Sequence, residues 1–91
     1  MTALIIGSDR IDSYRSILEA HGFAPVHHWT GRRGSDCHRA IPDETRLIVV
    51  LPHFVNHGLA VKVRRSADQH ALPIVFSRSV ARLQEQMSML P

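Results

Sequence analysis

Histidine is the residue type that stands out in this sequence, because seven of the 91 residues are histidines. A neutral imidazole binds transition metals and titrates near pH 7, so this excess indicates metal binding or acid–base chemistry. His53 and His57 have the H-x-x-x-H spacing that places two side chains on one helix face. However, the intervening FVN lacks the glutamate of the zinc-protease motif, and Pro52 and Asn56 predict a helix that begins near Asn56. His57 would then lie at a helix N-terminus, which favours the neutral imidazole.

Two further candidate metal ligands, His28 and Cys37, lie earlier in the chain. Neighbouring strand residues point to opposite faces, so His27 and His28 cannot both face one site, and His28 is nearer the carboxyl end. Cys37 is followed by His38, but a single Cys-His pair is not a zinc motif. A nucleophilic dyad would also need an orienting third group, which the local sequence lacks. We expect Cys37 to be a small residue of a short helix that could assist a metal site.

Anion binding is the second kind of chemistry that the sequence suggests. Arginine forms bidentate pairs with phosphate and carboxylate, and all but one of the 11 Lys and Arg residues are arginines. The turn GSDR, at residues 7–10, could bind an anion through backbone N–H groups at a helix start. Its structural alternative is a tight turn with Ser8 or Asp9 as the helix N-cap. It has no G-x-G-x-x-G or Walker pattern, which argues against a bound dinucleotide or nucleoside triphosphate. The candidate anion-binding residues are Ser8, Asp9, Arg10, Arg32, Asn56, Lys62 and Arg78.

Composition restricts the class of protein. A chain of 91 residues is expected to form one domain, residues 1–91. The net charge of +3 is spread along the chain, and aromatic residues make up 5%. The sequence therefore lacks the concentrated basic surface and the aromatic residues that are typical of nucleic-acid binding. The sequence shows no apolar run long enough to span a membrane and no leader-like segment, so we expect no membrane partner. The single cysteine agrees with a reducing compartment, and we predict a cytoplasmic protein.

Strand-like and helix-like segments alternate along the chain. The strand candidates are ALIIG (3–7), APVHHWT (24–30), RLIVVLP (46–52) and LPIVFS (72–77). The helix candidates are residues 10–23, a short helix within 31–45, the stretch after Asn56, and residues 80–90. This alternation predicts an α/β fold with parallel strands and right-handed crossovers.

The predicted architecture is a small, doubly wound, four-stranded parallel sheet of order 2-1-3-4, in the Rossmann-like or flavodoxin-like class. The first and last helices are expected on one face and the other two on the opposite face. A short second helix would leave apolar surface uncovered there, which favours a homo-oligomer. Ligands of such sheets bind beyond the carboxyl ends of the strands, so the candidate residues are expected to converge at that edge.

The order of these segments resembles a bacterial family of small Rossmann-like domains of unknown function. The matching features are IIGSD on the first strand, HHWTGR after the second, VNHGLAVKV after the third and PIVFSRS on the fourth. They include a helix start after the third strand in which four residues separate His57 from Lys62. The resemblance covers nearly the whole chain. It implies a Rossmann-like fold with a site near His28, Asn56, His57 and Lys62, and it implies no particular activity.

Three functions remain open from the sequence. The first is a regulatory or ligand-binding domain that holds zinc, iron or haem through histidines at the carboxyl edge. Its candidate metal ligands are His28, His57, His53 and Cys37, and a subunit interface could supply the ligands that one chain lacks. The second is a sensor of phosphate or nucleotide-type anions that uses the 7–10 turn, Lys62 and arginines. The third is a small histidine-dependent enzyme, but the lack of paired carboxylates or an activated nucleophile favours binding over catalysis.

Overall fold

The computed structural model describes residues 1–31 and 40–89. The strands are β1 (Thr2–Ile6), β2 (Val26–Trp29), β3 (Thr45–Val50) and β4 (Ile74–Phe76). The helices are α1 (Asp12–Ala20), α2 (His57–Gln69) and α3 (Val80–Ser88), and one turn of 3-10 helix covers Pro52–Phe54. The predicted short helix around Cys37 falls within residues 32–39, which lie outside the described residues. No helix in the described ranges has both the length and the apolar character that a membrane span requires.

The four strands form one parallel sheet in the order β2-β1-β3-β4, which confirms the predicted α/β topology. The carboxyl ends of the strands lie level with one another. Ile6 pairs with both Trp29 and Val50, and Val50 pairs with Phe76. The residues that immediately follow the strands therefore emerge along one edge of the sheet.

Alternating residues of the central strands form two separate cores. On one face, Ala3 and Ile5 of β1 belong to a cluster with α1 and α3 residues such as Leu18 and Leu83. On the other face, β1 and β3 residues cluster with the buried α2 residues Leu59, Val63 and Ala67. The predicted placement of the first and last helices on one face is thus confirmed. Each fully buried leucine contributes roughly 1.5–3 kcal/mol, so the helices are firmly fixed on the sheet.

The starts of the helices test the capping predictions. The Asn56 side chain accepts a hydrogen bond from the Leu59 N–H (2.8 Å), so Asn56 caps α2 as predicted. The prediction that Ser8 or Asp9 caps α1 is wrong. The helix begins at Asp12 after Ile11, which makes no side-chain capping hydrogen bond. The physical reason is the left-handed backbone of residues 7 and 8, which extends the turn before helical geometry can begin.

Candidate functional site

A groove with a cavity volume of about 650 Å³ lies at the carboxyl edge of the sheet. From β1 the chain crosses outward to β2, and from β3 it crosses in the other direction to β4, so the strand order reverses between β1 and β3. Open α/β sheets bind their ligands at this position. Its lining within the described residues is Ser8, Asp9, Arg10, Thr30, His53, Phe54, Val55 and Asn56. We call it the switch-point groove.

Two glycines allow the backbone segments behind the groove to approach closely. Gly7 has φ +113°, and a Cβ there would lie 3.0 Å from the Leu51 carbonyl oxygen and 3.1 Å from Val55 Cγ2. Gly31 has φ +80°, and its Cβ would lie 3.1 Å from the Phe54 carbonyl oxygen. Both positions favour glycine through conformation as well as space. The segments after β1, β2 and β3 are therefore packed backbone against backbone, which gives the groove a rigid base.

The turn after β1 holds a serine in the left-handed region. Ser8 has φ +65°, a conformation that costs a non-glycine residue about 1–3 kcal/mol. The Ser8 hydroxyl donates to the Arg10 carbonyl (3.1 Å) and accepts from the Arg10 N–H (3.3 Å). These two hydrogen bonds fix the path from Ser8 to Arg10 and hold both residues in the wall of the groove.

His28 holds the same turn from the neighbouring strand. Its Nε2 lies 2.8 Å from the Ser8 carbonyl oxygen and 3.2 Å from that of Gly7. A carbonyl oxygen can only accept, so Nε2 carries the proton and donates. Of the two ring nitrogens, only Nδ1 is then left for any metal. The structure thus shows His28 holding the turn through Nε2, and its predicted role as a metal ligand stays a prediction that would fall to Nδ1.

His27, His53 and His57 lie on different elements of the structure. His27 lies on the opposite face of β2 from His28, as predicted, with its Nε2 3.5 Å from a Glu44 carboxylate oxygen. The Pro52–Phe54 turn places His53 before α2, whereas His57 is the first residue of that helix, so the two do not share one helical face. His53 lines the groove and is exposed to solvent.

The groove brings together part of the predicted set. Among the predicted site residues it gathers Ser8, Asp9, Arg10, His53 and Asn56. His57, Lys62 and Arg78 are exposed side chains that do not belong to the lining in the described part of the chain, and Arg32 and Cys37 lie outside that part.

Three lining residues, Thr30, Phe54 and Val55, are missing from the predicted set. Their positions just after β2 and β3 could have identified them as residues of the carboxyl edge. Phe54 and Val55 are apolar, however, so their residue types do not indicate a binding or catalytic role. Phe54 is 52% exposed, which is unusual for a phenylalanine beside a cavity.

Metal binding within a single chain gains no support from the described ranges. Within them, no three His, Cys, Asp or Glu side chains come close enough together to hold a metal ion. A structural zinc site needs four ligands. Zinc or iron bound through these histidines would therefore need further ligands from outside the described residues, among which Cys37 falls, or from a second chain.

Comparison with known proteins places the chain in a family. A model of an uncharacterised protein family conserved in bacteria (DUF2325) matches residues 2–90, and the chain belongs to that family. No curated protein and no solved structure matches significantly.

Proposed function

We propose that this family member is a small-molecule binding domain whose switch-point groove takes an anionic ligand of the mononucleotide class. The observation that carries the proposal is the groove itself, about 650 Å³ at the reversal of strand order, with Arg10 and two hydroxyl residues in its wall. Small-molecule sites usually have volumes of 300–1,000 Å³. The groove is thus large enough for a nucleoside monophosphate.

Arg10 and the start of α1 are the features that favour binding of the phosphate group. Arg10 is exposed in the groove wall and offers a planar set of N–H donors that matches phosphate geometry. The adjacent helix begins after Ile11 without a side-chain cap in the described part of the chain. Its first-turn N–H groups and the positive end of the helix dipole favour an anion there. A phosphate held by Arg10 would make use of both features.

Two further lining residues, Asp9 and Phe54, suit a ribose and a base. Asp9 brings a carboxylate into the wall, and a carboxylate accepts hydrogen bonds from sugar hydroxyls. It also repels a bare dianion, which favours a ligand that has hydroxyl groups beside its phosphate. Phe54 is a half-exposed aromatic residue of the lining, and stacking of a nucleobase on an aromatic ring is worth about 1–3 kcal/mol. Arg10, Asp9 and Phe54 thus match the phosphate, the ribose and the base of a mononucleotide.

Calorimetric titration with AMP, GMP, CMP and UMP tests this function. We expect at least one of them to bind saturably, and Arg10→Gln to weaken that binding at least about tenfold through loss of a charged hydrogen-bonding partner. Arg15→Gln is the matched control, because Arg15 is an exposed arginine on α1 outside the groove lining, and it should bind as the parent does. Failure of all four nucleotides, or equal binding by Arg10→Gln, would contradict the proposal.

Haem is a second candidate ligand, and the surroundings of His53 favour it. His53 is exposed beside Phe54 and Val55 in the groove, so an imidazole lies next to apolar side chains. A single histidine is sufficient as the protein ligand of haem iron. Arg10 could pair with a propionate. On this proposal the protein binds haemin with a Soret shift that is lost in His53→Ala and kept in His21→Ala, a control at an exposed histidine beyond α1.

A further inference from the structure

The two edge strands of the sheet, β2 and β4, differ in the side chains that they expose. The half-exposed residues of β2 include His27 and His28, whereas the three residues of β4, Ile74–Phe76, are all apolar and all half-buried. The neighbouring strand β3 is buried throughout except at Arg46. Natural edge strands usually carry charged side chains that prevent pairing with other chains, and β4 has none.

The hydrogen bonds to β3 determine which backbone groups of β4 face outward. The Pro73 carbonyl accepts from the Ile48 N–H (3.1 Å), and the Ser77 N–H donates to the Val50 carbonyl (2.9 Å). Residues 73, 75 and 77 therefore direct their backbone groups toward β3. Because these directions alternate along a strand, residues 74 and 76 direct theirs away from the sheet. Proline has no N–H group, but at position 73 it faces β3, so it does not interrupt the outer edge.

The outer edge of β4 presents a donor and an acceptor at the same residue. Within the described ranges, the Ile74 N–H, the Ile74 carbonyl and the Phe76 N–H have no backbone partner. The Phe76 carbonyl accepts from Gln86 Nε2 (3.0 Å) and is already satisfied. In an antiparallel pair, two opposite residues exchange both of their hydrogen bonds. Two copies related by a two-fold axis through Ile74 would therefore satisfy both groups of this residue, so the edge is complementary to itself.

The charges along this edge also match an antiparallel arrangement of two copies. Arg64 of α2 lies over the Phe76 ring, 5.8 Å from its centroid, and the exposed Arg78 follows the strand, so the carboxyl end of the edge is cationic. The exposed Asp68 lies one turn further along the same side of α2, near the C-terminus of the helix, where the helix dipole is negative. Antiparallel pairing brings the cationic end of one copy beside the negative end of the other. Parallel pairing would align like charges.

We infer that β4 is a self-association edge, at which two copies of this chain pair antiparallel about a two-fold axis through Ile74. The two four-stranded sheets then form one continuous sheet, and the half-exposed side chains of β4 are covered further. This inference goes beyond the proposed function and does not depend on it, because β4 contributes no residue to the described lining of the switch-point groove.

Amide hydrogen exchange of the full-length chain over a concentration series, together with sedimentation equilibrium, tests this pairing. We expect a concentration-dependent dimer in which the Ile74 and Phe76 amides are protected at least about tenfold more than in the monomer. The Val75 amide is the internal control, because it already faces β3 and should change less. A chain that stays monomeric up to about 1 mM would leave this edge to a different partner and overturn the inference. A dimer in which the Ile74 and Phe76 amides stay unprotected would also overturn it.

A lysine at the centre of the edge gives a second test. Lysine is the residue type by which many natural edge strands prevent pairing, and the half-exposed position 74 allows its ammonium group to reach solvent. We expect Ile74→Lys to raise the dissociation constant of the dimer at least about tenfold, with the fold checked by circular dichroism. Val26→Lys, at a half-exposed position of the opposite edge strand, is the matched control and should dimerise as the parent does.

Parental dimerisation of Ile74→Lys, or equal weakening by the two lysine variants, would place the interface elsewhere and overturn the inference. The exchange measurement needs no variant, so it decides the question even if Ile74→Lys fails to fold.

Discussion

Helices α1 and α2 both begin at the carboxyl edge of the sheet, yet their starts are built in different ways. At α2 the Asn56 side chain caps the Leu59 N–H at 2.8 Å, and Asn56 has an ordinary extended backbone. At α1 the preceding turn contains a left-handed Ser8, and the N-cap residue Ile11 makes no side-chain capping hydrogen bond. The start of α2 thus has a side-chain cap on one of its N–H groups, whereas the start of α1 is where we propose that an anion binds.

This difference is the reason why we place the proposed ligand at the start of α1. Strained backbone at Ser8 persists only because other groups hold it, and His28 does so from a neighbouring strand. Such a conformation stabilises nothing by itself, so a positional role beside the groove is the better account of it. The start of α2, in contrast, is explained by helix stability alone. Substitutions at Gly7, His28 and Asn56 test this comparison.

Gly7→Ala should have the largest effect. Its Cβ would be 3.0 Å from a backbone oxygen of Leu51 at φ +113°, so we expect a loss of about 3 kcal/mol or more in the free energy of unfolding, measured by urea denaturation. Gly58→Ala is the matched control in α2. Its nearest contact would be the Asn56 side chain at 3.4 Å without a left-handed backbone, so it should stabilise the helix by up to about 1 kcal/mol. Equal effects at the two glycines would refute the contrast between the helix starts.

His28→Ala should have an intermediate effect. It removes the donor to the Gly7 and Ser8 carbonyls, so we expect a loss of about 1–2 kcal/mol in stability together with weaker ligand binding in the groove. His27→Ala should leave ligand binding unchanged, because His27 lies on the other face of β2 from His28, near Glu44. Urea denaturation measures the free energy of unfolding of both variants, and nucleotide titration measures their ligand affinity. Normal groove binding in His28→Ala would show that the turn does not depend on this histidine.

Asn56→Ala should have the smallest effect. Loss of the cap is expected to reduce the free energy of unfolding by about 1 kcal/mol, and Asn56→Asp should restore most of that loss, because aspartate caps as well as asparagine does. Ser79→Ala at the start of α3, where the serine hydroxyl accepts from the Arg82 N–H (3.1 Å), should have a similar effect. Nucleotide affinity should change less in Asn56→Ala than in His28→Ala, as judged by the same titration. A larger loss of nucleotide affinity in Asn56→Ala than in His28→Ala would indicate that the ligand binds at the start of α2 instead.

Much of the fold and of the site's location follows from local sequence patterns. Alternating apolar runs and helical periodicity predict the four parallel strands and their order, and the Pro-x-x-x-Asn spacing predicts the start of α2 at Asn56. These features depend on residues close together in the chain. The carboxyl edge follows from the topology, which is why Ser8 and His53 were predicted near a common site.

The role of His28 and the start of α1 could not be predicted, because they depend on backbone geometry between distant residues. The left-handed conformations at Gly7 and Ser8 move the start of α1 to Asp12 and turn two carbonyl groups toward His28, which is 20 residues away from Ser8 in sequence. A histidine in a sequence has the same appearance whether it binds a metal or holds a turn. The carbonyl oxygen 2.8 Å from Nε2 shows that His28 holds the turn, and Nδ1 is left for the predicted metal role.

The central claim is that the switch-point groove binds an anionic small molecule at the α1 end. Titration of the ¹⁵N-labelled chain with the tightest-binding nucleoside monophosphate, followed by amide chemical shifts, tests it most directly. The account predicts saturable shifts at residues 7–12 and 53–55, with smaller changes at residues 57–59 of the capped α2 start. Shifts confined to residues 57–59, or shifts that Arg10→Gln leaves unchanged, would contradict it.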